Sequence, residues 1–166
     1  GNDCIRRVDG ATGIITTIST GVAKPGGITA ETDDNLIVAD IDSDIVLRMD
    51  NTAPAYALTT VAGVAGQAGY NGDGILATTA KLKNPQSAIG MPNGDIYIAD
   101  KDNHCIRRVD GITGMIFTIA GKGGKKGGFK GDGGEAIKAK LNKPRGAYCN
   151  LGGSSTGSFV PKGETY

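Results

Sequence analysis

The stretch "NHCIRRVDGITG" at residues 103–114 occurs almost unchanged at residues 2–13, where it reads "NDCIRRVDGATG". A more divergent third copy lies between them. It becomes visible when "NLIVADIDSDIVLRMD" (35–50) is aligned with "DIYIADKDNHCIRRVD" (95–110), which begins 60 residues later. A pattern that returns at such intervals indicates a repeat protein, in which each copy forms one supersecondary unit.

A second segment is also repeated. "AGYNGDGILATTAKLKNP" (68–85) matches "GGFKGDGGEAIKAKLNKP" (127–144), with an aromatic residue, Gly-Asp-Gly, Lys-Leu and Pro in the same order. The first copy lacks this segment and passes from "TTISTGVAKPGG" directly into the next unit. The repeated unit therefore carries a loop that is long in some copies and short in others.

Each unit has the pattern of short β-strands. "DIYIAD", "CIRRVD" and "MIFTIAG" are rich in β-branched and aromatic residues and are separated by Asp, Asn and Gly, which favour turns. Alternation in "CIRRVD" places Cys105, Arg107 and Val109 on one face of the strand. The best helical pattern, "EAIKAKL" (135–141), is long enough for about one turn. About four strands every 40–60 residues predict an all-β fold built from propeller blades.

The most regular copy resembles a known family. "YIADKDNHCIRRVDGITGMIFTIAGKGGKKGGFKGDGGEAIKAKLNKPRGA" (97–147) is similar to an NHL repeat, with the Asn-His-Leu-type triplet at residues 103–105. The core "ADxxNHxIRxVD", followed by "TIAG", "GDGG" and "LNxP", carries the resemblance. The middle copy departs from the triplet and has Ser43, Asp44 and Ile45 instead.

This resemblance implies a β-propeller, most often of six four-stranded blades, that commonly serves as a platform for protein or RNA partners. Some members of the family are enzymes, such as the peptidyl-amidoglycolate lyases, which hold a metal in the central channel. Because one fold hosts many functions, the resemblance fixes the fold better than the activity.

We predict one NHL-type propeller region of about three blades. Residues 1–24 would end one blade, residues 25–84 and 85–144 would each form a blade, and residues 145–166 would begin a further one. Three blades form an open arc, since closed rings contain about 4–8. The chain is interpreted as a fragment of a longer propeller. The alternative is that two copies complete each other's broken blades as halves of a six-bladed ring. The fragment is favoured because the tail "VPKGETY" matches poorly the strand that a dimer would require.

The titratable residues of the triplet are expected to be structural. His104 is the only histidine, so neither a His-rich zinc site nor a channel site of several histidines can be built from this chain. Cys4 and Cys105 share a repeat position with Ile45, which indicates a buried apolar site rather than a nucleophile. We therefore predict no catalytic residue, no metal and no cofactor.

Aspartates occur at most of the predicted turns. Asp40, Asp42 and Asp44 alternate as in a calcium loop, but Ile45 and Asn51 replace the required Gly and Glu. We expect Asp40 and its equivalent in the next unit to accept hydrogen bonds from turn backbone, and the Gly-Asp-Gly aspartates to cap tight turns. The predicted structural turn residues are Asp73, Asp132, Asp100 and His104.

Charge is distributed unevenly along a chain whose net charge is only +1. Residues 31–50 are strongly acidic and residues 122–145 strongly basic. The near-neutral total argues against a general nucleic-acid binder. Candidate partner-binding residues come from both segments: Lys122, Lys125, Lys126, Lys130, Asp40, Asp42 and Asp44.

Three functions follow as hypotheses. The preferred one is a non-enzymatic scaffold that binds protein partners, or assembles with itself, through its loop surfaces. The first alternative is binding of RNA or another polyanion by the basic loop 122–145, for which only Phe129 and Tyr148 offer nearby stacking surfaces. The second is a share in a lyase or hydrolase propeller with its site in the channel. No apolar run reaches the ~18–20 residues of a membrane span.

Overall fold

A computed structural model describes residues 2–52, 56–149 and 159–162 of the protein. Every strand pairing in these ranges is antiparallel, and most pairs join strands that are consecutive in the chain. Antiparallel neighbours need only short turns, which agrees with the Asp, Asn and Gly residues between the predicted strands.

The first two sheets differ in size. The first sheet contains two strands, β1 (Ile5–Val8) and β2 (Ile15–Ser19). The second sheet contains four strands in chain order: β3 (Pro25–Ala30), β4 (Leu36–Asp40), β5 (Ile45–Met49) and β6 (Leu58–Ala62). The second sheet is thus a complete four-stranded unit of the kind predicted.

The third sheet gains a strand from the preceding segment. It contains β7 (Ile75–Leu76), β8 (Pro85–Gly90), β9 (Ile96–Asp100), β10 (Cys105–Val109) and β11 (Met115–Gly121). The short β7 pairs with the outer strand β11, at the edge opposite β8. The fourth sheet pairs β12 (Gly146–Cys149) with β13 (Phe159–Lys162).

Long connections join the later sheets. We call residues 63–84, between the second and third sheets, the first insert, and residues 122–145, between the third sheet and β12, the second insert. Each contains a single 3₁₀ turn, Ala77–Thr79 and Ala136–Lys138 respectively. The latter lies within 135–141, where the sequence predicts about one helical turn. None of the helices in the described ranges has the length and apolar character required to cross a membrane.

The sheets stack face to face, with a hydrophobic cluster between each neighbouring pair. On β4, Ile37 belongs to the cluster shared with the third sheet, whereas Val38 belongs to the cluster shared with the first. On β9, Ile98 faces the second sheet, and Ala99 joins Ala147 of β12 in a third cluster. The middle strands are therefore apolar on both faces, as strands buried on both sides must be.

The first strands of successive sheets lie side by side. Thr29 of β3 donates its hydroxyl to the carbonyl of Ala88 on β8 at 2.8 Å. A Cβ atom on Gly27 would lie 2.8 Å from the Cβ of Ser87, so glycine allows the two inner strands to approach closely. Stacked antiparallel sheets with their first strands innermost form an open arc of a β-propeller, as the sequence predicted.

Candidate functional site

The turn 101–104 lies between β9 and β10, next to the first insert and the second insert. The side-chain amide of Asn103 donates to the carbonyl of Gly69 at 2.6 Å. The amide N–H of Gly124 donates to the carbonyl of Asn103 at 3.2 Å. The turn is thus hydrogen-bonded to both inserts. We call the surface formed by the turn 101–104 and the two inserts the loop face.

His104 connects the turn before β10 to the segment that leads into the next sheet. We call such a contact between a turn and the following segment a joint. Its φ of 55° is in the left-handed region, and its Nδ1 accepts a hydrogen bond from the backbone N–H of Lys143 at 3.1 Å. Asp44 stands at the same position of the second sheet with a φ of 56°, and its Oδ1 accepts from the N–H of Asn84 at 2.8 Å. In both cases the turn residue holds the segment that enters the next sheet.

The His104 joint should respond to pH. Partial burial lowers the pKa of His104 from 6.5, Asp102 opposes this shift, and Lys143 and Lys83 add to it. Because the folded-state pKa lies below the unfolded one, the stabilisation is complete above pH 6.5 and is lost as pH falls through the folded value. Protonation of Nδ1 would also remove the acceptor for Lys143.

We expect the urea midpoint of the wild type to fall between about pH 7.5 and pH 5 by more than that of His104→Asp. Aspartate tolerates the left-handed conformation and reproduces the acceptor found at Asp44. The quantity to compare is the fall of the urea midpoint in each protein, because the wild type and His104→Asp share all their other carboxyl groups. Identical pH profiles would show that His104 does not titrate within this joint.

The acidic candidates are mostly engaged within the fold. Asp40 is buried, and its carboxylate accepts two backbone N–H groups of the preceding loop and the Ser43 hydroxyl, each at 2.9 Å. Asp44 is also buried at its joint. Asp42 is exposed and lies 3.5 Å from Lys24. The predicted partner-binding role does not suit Asp40 and Asp44, because their carboxylates already accept hydrogen bonds from backbone N–H groups inside the molecule.

Arg107 is a fully buried cation that sequence reasoning did not single out. Its Nη2 lies 3.1 Å from Asp73 Oδ1 and donates to the carbonyl of Gly72 at 2.7 Å. Its Nη1 lies 3.7 Å from the buried Asp100, and its guanidinium stacks over the ring of Tyr70, 4.7 Å from the centroid. The first insert therefore encloses this arginine against the third sheet.

Asp73 reaches into that sheet rather than into its own turn. Its Oδ1 accepts from both the N–H and the hydroxyl of Thr118, at 2.9 and 3.0 Å. Tyr70 OH lies 3.0 Å from the same hydroxyl. This differs from the predicted turn cap, because the carboxylate is drawn to the buried Arg107. The other predicted cap, Asp132, is exposed and makes no side-chain hydrogen bond or ion pair within the described ranges.

Asp100 contacts the segment that leads into its own sheet. Its Oδ1 accepts the N–H of Lys83 at 2.8 Å, and its Oδ2 accepts the side-chain amide of Asn103 at 2.8 Å. Burial raises the pKa of Asp100 to about 7, and these hydrogen bonds and Arg107 oppose the rise. The donors come from the loop before β8 as well as from the neighbouring turn.

An open cleft of about 540 Å³ lies on the loop face. Its walls bring together Tyr70 and Lys83 of the first insert, His104 of the turn, and Lys125 and Lys126 of the second insert. Lys122 joins Lys125 and Lys126 around a smaller hollow beside it. The backbone of Lys130 pairs with that of Lys140 further along the second insert. Lys125 and Lys126, which belong to the basic segment of the sequence, thus line a cleft that also includes Tyr70 and Lys83 of the first insert.

The described residues contain no group of three or more His, Cys, Asp or Glu side chains placed to hold a metal ion. Cys105 is buried, and this burial raises the pKa of its thiol. The thiol therefore stays protonated at neutral pH and packs as an apolar residue.

Comparison with known proteins supports the repeat interpretation. Residues 88–109 match the NHL repeat. The chain is 30% identical over 156 residues to the Arabidopsis thaliana protein SUPPRESSOR OF QUENCHING 1, chloroplastic, which covers 88% of this chain. The chain is also 41% identical to NHL repeat-containing protein 2 of Bos taurus over 64 residues, which cover 36% of this chain. The chain spans 14% and 8% of the lengths of these two relatives.

Solved structures share the fold. An auxiliary nutrient binding protein from Bacteroides ovatus superposes with a TM-score of 0.70 at 24% identity, covering 89% of this chain and 38% of its own. A protein of the same description from Bacteroides thetaiotaomicron gives a TM-score of 0.68 at 24% identity, with coverages of 88% and 37%. At this level of identity the likeness concerns the fold.

The stacked sheets, the repeated joints and these superpositions define the class as a β-propeller repeat protein. Within that class, the match at 88–109 coincides with the strands and the turn that carry the Asn-His-Cys triplet. The chain belongs to the NHL-repeat family. It is a domain of the scaffold and interaction type.

Proposed function

We propose that this chain is a non-enzymatic propeller scaffold whose loop face binds an acidic segment of a protein partner. The observation that carries the proposal is the cleft lined by Lys83, Lys125 and Lys126 together with Tyr70 and His104. Its one carboxylate, Asp102, accepts a hydrogen bond from the side-chain amide of Asn84 at 2.6 Å. Three cations beside an aromatic ring and an imidazole suit carboxylate side chains on an extended peptide.

The local charge is far larger than the total charge. The second insert contains eight Lys and Arg residues against two acidic ones, although the chain as a whole carries only +1. Such a concentrated field raises the association rate with an oppositely charged partner. Flexible lysines on a glycine-rich loop can adapt to carboxylates at several spacings.

A polyanionic RNA is the competing ligand. Phe129 and Tyr148 are both highly exposed and offer two ring faces for stacking. Within the cleft, however, the Arg107 guanidinium already stacks over Tyr70. Single-strand binders usually combine several free aromatic faces with their cations, so the cleft favours peptide carboxylates.

Charge reversal tests the proposal. We expect Lys125→Glu/Lys126→Glu to weaken binding of a labelled polyglutamate peptide by at least about tenfold, as measured by fluorescence anisotropy. Wild-type affinity should also fall as salt is raised, because exposed charges are screened. The matched control is Arg7→Glu/Lys24→Glu, which makes the same charge change at exposed positions away from the cleft and should bind as the wild type does.

Three outcomes would contradict the proposal. One is the absence of peptide binding by the wild type. Another is equal loss of affinity in the control variant, which would mean that net charge alone acts. The third is tighter binding of poly(U) RNA than of the peptide at the same salt concentration, with loss in Lys125→Glu/Lys126→Glu. That result would reassign the loop face to RNA.

A further inference from the structure

The outer edge of the third sheet, which is the side of β11 that faces away from β10, is covered by the first insert. The short strand β7 pairs with β11 in antiparallel order. The N–H of Gly74 donates to the carbonyl of Ile116, and the N–H of Ala77 donates to the carbonyl of Gly114, each at 2.9 Å. The first insert thus satisfies backbone groups that would otherwise face solvent.

A side chain completes this cover. The N–H and the hydroxyl of Thr118 donate to Asp73 Oδ1 at 2.9 and 3.0 Å, and Thr118 is buried. The same carboxylate oxygen lies 3.1 Å from the buried Arg107. Because a cation lies beneath the edge, a carboxylate is a suitable acceptor for the outward N–H of β11.

The second sheet has the same outer strand in the same register. Thr60 of β6 lies opposite Leu47 on β5, as Thr118 of β11 lies opposite Arg107 on β10. Both pairings carry a register shift at the next position along the strand. Because the register is shared, the N–H of Thr60 points away from β5, as the N–H of Thr118 points away from β10.

The outer edge of β6, the side that faces away from β5, is uncovered in the described part of the chain. Within these ranges β6 is the last strand of its sheet and pairs with β5 alone. Thr59 and Thr60 are exposed, whereas their equivalents in β11, Phe117 and Thr118, are half-buried and buried. The stretch "ALTTVAGV" (57–64) has neither the charges nor the proline that protect many edge strands from pairing.

The short linker between β2 and β3, residues 20–24, explains this difference between the sheets. Val22 of the linker is buried between the first and second sheets, as Leu82 of the first insert is buried between the second and third. The linker thus matches the end of the first insert, but it has no counterpart of β7 or of the Gly-Asp-Gly turn. The edge of β6 is open because these parts are missing from the connection between two described sheets.

The residue beneath the edge of β6 limits the chemistry of an occupant. Leu47 replaces Arg107 there and is buried against the first sheet. A carboxylate at the place of Asp73 would lack the cation that offsets its desolvation in the third sheet. An amide or a backbone carbonyl can accept the N–H of Thr60 without this cost. The edge therefore favours an uncharged segment.

We propose that the outer edge of β6 binds an uncharged, extended segment of a protein partner as an added antiparallel strand. The segment resembles β7 and its neighbours, with a glycine before two apolar residues, and its N–H groups donate to the carbonyls of Leu58 and Tyr56. It ends before Gly63, whose N–H already donates to the carbonyl of Ala77 at 2.9 Å. The contact shares no residue with the cleft on the loop face and can fail independently of the proposed function.

A synthetic peptide tests this contact. The probe is "NGDGILATTA" (71–80) with the change Asp73→Asn and a fluorescent label. We expect it to bind the protein in fluorescence anisotropy and to protect the N–H of Thr60 in hydrogen exchange followed by NMR. The N–H of Thr59, which faces β5, should exchange as before. The peptide that keeps Asp73 should bind several-fold more weakly, because Leu47 supplies no cation.

Backbone methylation of the peptide provides the matched control. N-methylation at Ala77 removes the donor for the Tyr56 carbonyl and should lower the affinity at least about tenfold. N-methylation at Leu76 should have little effect, because the N–H groups of neighbouring residues on a strand point in opposite directions. The two methylated peptides have the same composition, so only the direction of the lost N–H differs.

Protein variants separate this contact from the cleft. Thr60→Pro removes the outward N–H at an edge position where proline is tolerated, and circular dichroism should show an unchanged fold. This variant should lose the peptide but bind polyglutamate as the wild type does. Lys125→Glu/Lys126→Glu should show the opposite behaviour.

Four outcomes would overturn the proposal. They are a wild type that does not bind the peptide, equal loss of affinity with both methylated peptides, and protection that changes at Thr118 instead of Thr60, which would mean that the peptide displaces the first insert. The fourth is concentration-dependent protection of Thr60 without peptide, which would assign the edge to a second copy of the chain.

Discussion

Replacing Arg107 with leucine is expected to lower the free energy of unfolding by about 3–5 kcal/mol, as breaking a buried ion pair does. Leucine is a fair substitute because it occupies the same position of the second sheet at residue 47. In the third sheet, however, the change leaves Asp100 buried without its cation, and Asp73 loses its ion-pair partner. Urea unfolding at neutral pH measures the loss.

Arg108→Leu is the matched control. Arg108 is the next residue on the same strand, but it is partly exposed and lies 3.5 Å from each of Asp95 and Asp110. Because Arg108 keeps access to water, we expect its pairs to contribute closer to the roughly 1 kcal/mol of solvent-accessible ion pairs than to the value of a fully buried one. If Arg107→Leu lowers the free energy of unfolding no more than Arg108→Leu does, then Arg107 is not enclosed between the first insert and the third sheet.

The loss caused by Arg107→Leu should also depend on pH. Burial raises the pKa of Asp100 to about 7, above its unfolded value of 3.8. A raised carboxyl pKa stabilises the fold fully below the unfolded value, and this stabilisation is lost as pH rises through the folded one. Arg107 offsets that loss by favouring the carboxylate. We therefore expect the two proteins to differ less at about pH 5, where Asp100 is protonated, than at about pH 8.

The strands could be predicted because local patterns determine them. On β9 and β10, β-branched residues follow one another between Asp and Asn turns, and the same pattern returns in the second sheet. Since blades are stacked, both faces of the middle strands are apolar, and the repeat length alone suggests how many strands form a sheet. Such information lies within one unit of the sequence.

The environment of Arg107 could not be predicted in the same way. Alternation correctly placed Arg107 with Cys105 and Val109, but a cation on a strand is usually exposed. Its partner Asp73 lies 34 residues earlier, on an insert that crosses to the next sheet. Only the folded arrangement brings them together. One signal was present in the sequence, since the unit that lacks an insert before it has Leu47 at this position.

The candidate cleft was partly predictable for a similar reason. Charge along the sequence identified Lys125 and Lys126, which lie in one glycine-rich loop. The opposite wall, with Tyr70 and Lys83, belongs to the preceding insert. The turn at His104 brings the two inserts together through hydrogen bonds that no local pattern specifies.

Leu82→Ala is expected to lower the free energy of unfolding by about 2–5 kcal/mol, the usual cost of a leucine-sized cavity. Leu82 is fully buried between the second and third sheets, where it shares a cluster with Ala80, Val109 and Ile116. These neighbours belong to the insert and to two strands held by backbone pairing, so the cavity cannot collapse easily. Urea unfolding of the variant gives the value directly.

Leu141→Ala provides the comparison, because Leu141 holds the same position in the second insert and is only partly buried. This change should cost well under half of the Leu82→Ala loss, since a partly exposed leucine removes less apolar surface from water on folding. Equal losses would mean that the second insert is packed as tightly as the first. Unequal losses would show that the first insert, whose Leu82 is buried between the second and third sheets, contributes more to the stability of the described fold than the second insert does.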